Sequence, residues 1–146
     1  MIVAVAHNKG GVGKTTTVVQ LAGELKPEII IDLDAHQGIA IINGRRPVEQ
    51  RWDVRAGLEK AALIKLLKAA DEHLVLIDCG GFDSELVRIA IASADLIIAP
   101  SNDDITEQIG LVRFNRVLSE ISQATGETIQ AHVLITRTNP NRKNFS

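Results

Sequence analysis

The sequence is poor in the residues that build extracellular scaffolds and stacking surfaces: it has one cysteine, no tyrosine and only 3% aromatic residues. A single cysteine excludes an internal disulfide, and Cys79 closes an apolar stretch where a small buried hydrophobe is expected rather than a reactive thiol. So few aromatics exclude a platform for stacked bases, and a net charge of −2 excludes a strongly basic domain. No apolar run approaches the ~18 residues of a membrane span, and Met1-Ile2-Val3-Ala4-Val5 lacks a basic leader region, so a cytoplasmic protein is expected. The strict phosphate-loop pattern is missing as well. It wants a glycine five positions before Gly13, and Asn8 stands there.

What replaces it is more specific. Lys9-Gly10-Gly11-Val12-Gly13-Lys14-Thr15-Thr16 lies between an apolar stretch, Ile2 to Ala6, and a helical one, Val18 to Leu25. A strand-to-helix turn of this kind lets backbone N–H groups converge on an anion, and the following helix adds its positive dipole end. Lys14 is then placed to reach the β- and γ-phosphates of a nucleotide, and the Thr15 hydroxyl to ligate Mg²⁺.

Along the rest of the chain, apolar strands alternate with helical stretches. The expected strands are Ile2 to Ala6, Ile29 to Asp34, Leu74 to Asp78, Leu96 to Pro100 and Ala131 to Thr136. Helices are expected over Thr15 to Leu25, Leu58 to Ala70 and Ser84 to Ile91, and along Leu111, Phe114, Leu118 and Ile121, with Ser101 to Asp104 as a capping box. The segment from Gly44 to Arg55 has poor periodicity and reads as a loop with room for a short edge strand. This alternation predicts an α/β domain, a parallel sheet with helices on both faces, whose ligands sit at the carboxyl ends of the strands. With 45% apolar residues, 146 residues make one globular domain.

Three acids fall at those strand ends. Asp78 closes a buried strand before Gly80-Gly81 and suits a Mg²⁺ ligand. Asp32 and Asp34, two apart in an expected strand, would point to one face. Asp32 would then support the Mg²⁺ shell while Asp34 positions the attacking water. Pro100 to Asp104 and Arg137 to Asn139 follow later strand ends. The arginines 45, 46, 51 and 55 read as scattered, solvated side chains rather than a phosphate-binding patch.

Taken together, Lys9 to Thr16, Asp32-Leu33-Asp34, Leu76-Ile77-Asp78 and Thr136-Arg137-Thr138-Asn139-Pro140 resemble the ParA/MinD superfamily of deviant Walker A ATPases, most closely the small ParA-type partition proteins. The resemblance implies a P-loop fold, ATP and Mg²⁺ as cofactors, and a homodimer in the ATP state. It makes Lys9 a signature lysine that reaches the partner's nucleotide, Lys14 the phosphate-loop lysine and Asp34 the water-positioning acid. It also implies a separate centromere-binding, ParB-like partner and nonspecific DNA as the working surface, which would make the protein nucleoid-associated. A MinD-like regulator on a membrane and a metabolic ATP-dependent enzyme of the same fold are the alternatives. Iron–sulfur members need several cysteines and tyrosine kinases of this fold need tyrosines, so both branches are excluded. Arg137 and Asn139 are candidate adenine contacts by position and resemblance, an ordinary loop being the other reading. His7 and Ala35-His36 depart from the Asn and Pro-Gln common in the family, which bears on the tuning of hydrolysis. Family members continue beyond the Thr136–Pro140 segment, so 1–146 is expected to be a single ATPase domain without its C-terminal continuation.

Overall fold

The apolar runs Ile2 to Val5, Ile29 to Ile31 and Val75 to Ile77 are unbroken because the strands they form are covered on both sides. In the computed structural model, which describes residues 1–6, 14–80, 84–101 and 105–135, six strands form one sheet. They are β1 (Ile2–Val5), β2 (Ile29–Asp32), β3 (Val54–Ala56), β4 (Val75–Asp78), β5 (Leu96–Ser101) and β6 (His132–Ile135). Their order is β3-β2-β4-β1-β5-β6, and every pairing is parallel. The helices between them are α1 (Lys14–Leu25), α2 (Gly38–Gly44), α3 (Lys60–Lys68), α4 (Glu85–Ser93) and α5 (Ile105–Thr125).

Side chains alternate across a strand, so each strand feeds two cores. Val3, Val5, Ile30 and Leu76 pack on one face with Val18 and Ala22 of α1 and Ile39 of α2. Ala4, Ile31 and Ile77 pack on the other with Leu63 and Leu67 of α3, Val87, Ala90 and Ile91 of α4, and Phe114, Leu118 and Ile121 of α5. This is the three-layer α/β/α fold of P-loop NTPases expected above.

Two expectations need correction. β2 stops at Asp32, so Asp34 lies beyond the strand and the two acids do not share a face through strand alternation. The helix α2 was not expected at all. Its seven residues, Gly-Ile-Ala-Ile-Ile-Asn-Gly, carry no amphipathic period, and no side chain of its own N-cap residue, Gln37, holds its first turn. Asp32, eight residues upstream of Ala40, supplies that cap from the strand end instead. The Gly44–Arg55 segment does hold the short edge strand allowed for it, β3, after a 3-10 turn at Val48–Gln50. Residues 102–104 of the proposed capping box lie outside the described residues.

Candidate functional site

β1 lies between β4 and β5, and β4 lies between β1 and β2, so the ends of three neighbouring strands form a row. Asp32 is the register partner of Asp78, and Asp78 is the register partner of Val5. Parallel strands run ~4.8 Å apart, which brings the two acids side by side beside the strand that leads to the glycine-rich sequence. That row then continues past the strands by backbone hydrogen bonds. Leu33 N–H donates to the Asp78 carbonyl at 2.8 Å, Cys79 N–H to the Val5 carbonyl at 3.0 Å, and Ala6 N–H to the Ile98 carbonyl at 3.0 Å.

Both carboxylates are buried, Asp32 with 1% of its surface exposed and Asp78 with 0%. Charge is rarely placed so deep without a partner, which separates these acids from ordinary surface residues. The Asp78 Oδ1 accepts the Gly80 N–H at 3.1 Å. The Asp32 Oδ1 accepts the Asp34 N–H at 3.0 Å, and its Oδ2 accepts the Ala40 N–H at 3.1 Å. Burial pushes the Asp32 carboxyl above its ordinary value, more strongly than amide bonds from Ala40, Asp34 and Ile39 pull it down, and the charge of Asp34 adds to the rise.

Asp34 stands differently. Its side chain keeps 21% of its surface exposed, and its Oδ1 accepts the His36 N–H at 2.9 Å, with the His36 ring Nδ1 at 3.4 Å. The chain then turns sharply, Gln37 N–H donating to the Asp34 carbonyl at 3.0 Å and Gln37 itself at φ 50°. Gly80 completes the surroundings: at φ +70° it sits against the backbone of Asp34, a contact the sequence showed only as a glycine pair.

Of the residues singled out from sequence, Asp32, Asp34 and Asp78 are therefore brought together. Lys14 and Thr15 begin α1, and Thr16 is exposed on its first turn. Lys9, Gly10, Gly11, Val12, Gly13, Arg137 and Asn139 lie outside the described residues. The buried acids suit a hard cation with oxygen ligands. Among the described residues no group of three or more His, Cys, Asp or Glu side chains could hold a metal unaided. The donor set thus fits a metal that brings further oxygens with it.

Three of the arginines are occupied within their own segment. The Arg46 guanidinium lies 3.9 Å over the Trp52 ring, Arg51 donates to the carbonyls of Arg46 and Gly44, and Arg55 pairs with Asp53 at 2.7 and 3.0 Å. They brace the Gly44–Arg55 segment rather than form a free basic patch. At the opposite, amino-terminal edge of the sheet a groove of about 610 Å³ is lined by Met1, Leu67 and Asp95, far from the acids.

Comparison with known proteins agrees with this fold. The family model described as ATPase MipZ matches residues 48–136, more than half of the chain, and one described as AAA domain matches residues 1–44. The chain belongs to the ParA/MinD superfamily, in its MipZ ATPase family. Within that superfamily, it is 27% identical over 145 residues to Protein ParA of Rhizobium radiobacter, covering 95% of this chain and 65% of that one. It is 29% identical over 104 residues to the maintenance of carboxysome distribution protein A of Gloeobacter kilaueensis, covering 68% and 48%. The chain thus spans 65% and 48% of the length of these two relatives. Its fold matches cobyrinic acid a,c-diamide synthase from Mycobacterium smegmatis, solved with a bound ATP analog and magnesium, at a TM-score of 0.74 and 22% identity over 97% of this chain and 74% of that one.

Proposed function

We propose that this ParA/MinD-family chain is an ATP-driven dimerisation switch that hydrolyses ATP with Mg²⁺ and, as the ATP-bound dimer, positions a DNA cargo. The observation that carries the reading is the pair Asp32 and Asp78, buried in register beside the strand that enters Lys9 to Thr16. Two adjacent buried carboxylates are costly without a cation, and a phosphate-loop sequence next to them names the form in which the cation arrives.

In this reading the N–H groups from Gly10 to Thr16 cradle the phosphates and Lys14 pairs with their charge. Thr15 and Asp78 hold Mg²⁺, with Asp32 supporting its shell through charge while its amide bonds shape the loop. The metal would neutralise charge developing on the transferred phosphoryl group. Asp34, partly exposed where the buried acids end, positions the attacking water. Lys9 reaches the nucleotide of a second copy, so closing the dimer completes the site and hydrolysis reopens it. Arg137 and Asn139 are assigned to the adenine.

The likeness to Protein ParA of Rhizobium radiobacter supports a ParA-type role. In this proposal a separate ParB-like protein stimulates hydrolysis and nonspecific DNA is the surface, which would make the protein cytoplasmic and nucleoid-associated. The carboxysome-distribution relative supports a second reading, in which the same switch positions a cargo other than DNA. A MinD-like membrane role is the weaker alternative. Among the described residues no helix is long and apolar enough to cross a membrane, which leaves peripheral binding to experiment.

Two measurements test the proposal. ATP-Mg²⁺ at 100 times its dissociation constant stabilises the fold by about 2.7 kcal/mol and raises the melting temperature; no shift at saturating ATP refutes the nucleotide site. The ATP form binds nonspecific DNA with an affinity that falls steeply with salt. Binding to anionic liposomes instead would transfer the switch to a membrane, and turnover that requires a small organic acid would make it a metabolic enzyme.

A further inference from the structure

Asp34 is not held by its own strand, which ends two residues earlier, so something else must place it. One support is Asp32, whose Oδ1 takes the Asp34 N–H at 3.0 Å. The other comes from across the sheet. Gly80, two residues past Asp78, is buried at φ +70°, and a Cβ built on it would lie 3.0 Å from the Asp34 Cα, 3.4 Å from its Cβ and 3.5 Å from its N. All three are atoms of one residue and two belong to its backbone, so no flexible side chain can swing aside to relieve the contact.

The two segments are tied at one further point, where Leu33 N–H donates to the Asp78 carbonyl at 2.8 Å. Within the loop after β4, the Gly80 N–H donates to the Asp78 Oδ1 at 3.1 Å and so holds Gly80 against its own strand end. A shift of the segment after β4 is therefore delivered to the segment after β2 at Asp34 itself.

We propose that Gly80 is a positioning residue for Asp34: its bare Cα lets the loop after β4 seat the loop after β2, so that the two acid-bearing segments move as one body. This rests on Asp34 acting as the water-positioning acid. Gly80 touches no substrate in this account; it fixes where the Asp34 carboxylate stands, and a displacement of about 1 Å at a reacting group costs on the order of 100-fold in rate.

The position carries two separable demands, a left-handed backbone and an absent Cβ, and variants can split them. Gly80→Ala violates both. Gly80→Asn meets the backbone demand, since Asn tolerates positive φ, yet still brings a Cβ against Asp34. Gly126→Ala is the control, because Gly126 has φ +74° with nothing within 4 Å of its added Cβ, so it meets strain alone.

The test compares these full-length variants with the wild type by hydrogen exchange of the peptide spanning 33–37 without nucleotide, by ADP-Mg²⁺ affinity, and by ATP turnover. Both Gly80 variants are expected to speed exchange in 33–37 at least about tenfold and to lower kcat at least about tenfold. ADP affinity and KM stay within about threefold, and Gly126→Ala shows neither change. Should Gly80→Ala not fold, Gly80→Asn carries the test. Exchange and kcat within about twofold of wild type in Gly80→Asn overturn the proposal, as does a loss of ADP affinity parallel to kcat or an equal effect in Gly126→Ala. A wild type that hydrolyses no ATP overturns the function proposed above and the role of Gly80 with it. A wild type that turns over ATP beside an unaffected Gly80→Asn overturns the role of Gly80 alone.

Discussion

Asp32 and Asp78 stand opposite each other as register partners on adjacent parallel strands, both removed from water. Their placement follows from elementary rules. Apolar strands covered on both faces end where the helices cease to cover them, and the first polar residue after each run faces the crevice at the strand ends. The consequence is a pair of buried carboxylates of the kind that suits a hard cation with oxygen ligands.

The burial of Asp32 gives a pH dependence with a definite sign. Burial raises the Asp32 carboxyl above its ordinary value of 3.8, so the folded state holds its proton more tightly than the unfolded state. Its contribution to stability is complete below that value and is lost as pH rises through the raised one. The stability of Asp32→Asn relative to wild type should therefore rise with pH across the acidic range and then level off, on top of a constant loss from broken amide bonds. Urea unfolding of the nucleotide-free proteins at a series of pH values checks this. A difference that is flat, or that falls with rising pH, contradicts it.

Lys14→Ala should lose nucleotide affinity while the fold persists, because alanine is a good helix former at the first residue of α1. Hydrogen bonds to charged groups contribute ~1.5–3 kcal/mol, so titration calorimetry should show ATP binding weakened about tenfold to a hundredfold. Unchanged affinity would move the phosphate site away from α1.

Asp34→Ala should bind ATP like wild type and hydrolyse it at least about 100-fold more slowly, accumulating in the ATP-bound form. Single-turnover assays with radiolabelled ATP separate the two steps. Normal turnover would transfer the water-positioning role to another group.

The sheet was legible because its strands are runs such as Ile29-Ile30-Ile31 and Val75-Leu76-Ile77, buried on both faces, and burial writes itself into sequence as unbroken apolarity. Asp78 was legible for the same reason, as the polar residue that closes such a run. The helix α2 was not, since its first turn is held by Asp32 from outside, a contact that no local period records. Asp34 was singled out on a strand alternation that does not reach it, since β2 ends at Asp32. Strand alternation does not place it, whereas an amide bond to Asp32 and a close approach by Gly80 do. Long-range contacts of this kind leave only a glycine in the sequence, and a glycine has many explanations.

The central claim is a switch between monomer and ATP-bound dimer, and the mass of the protein in solution tests it most directly. Light scattering of the full-length protein should give a monomer without nucleotide and with ADP-Mg²⁺, and a dimer with ATP-Mg²⁺ or a non-hydrolysable analogue. Lys9→Ala, which leaves its own phosphate loop able to bind, should remain monomeric in every state while still binding ATP. A wild type that stays monomeric with ATP, or a Lys9→Ala variant that dimerises as wild type does, would contradict the account.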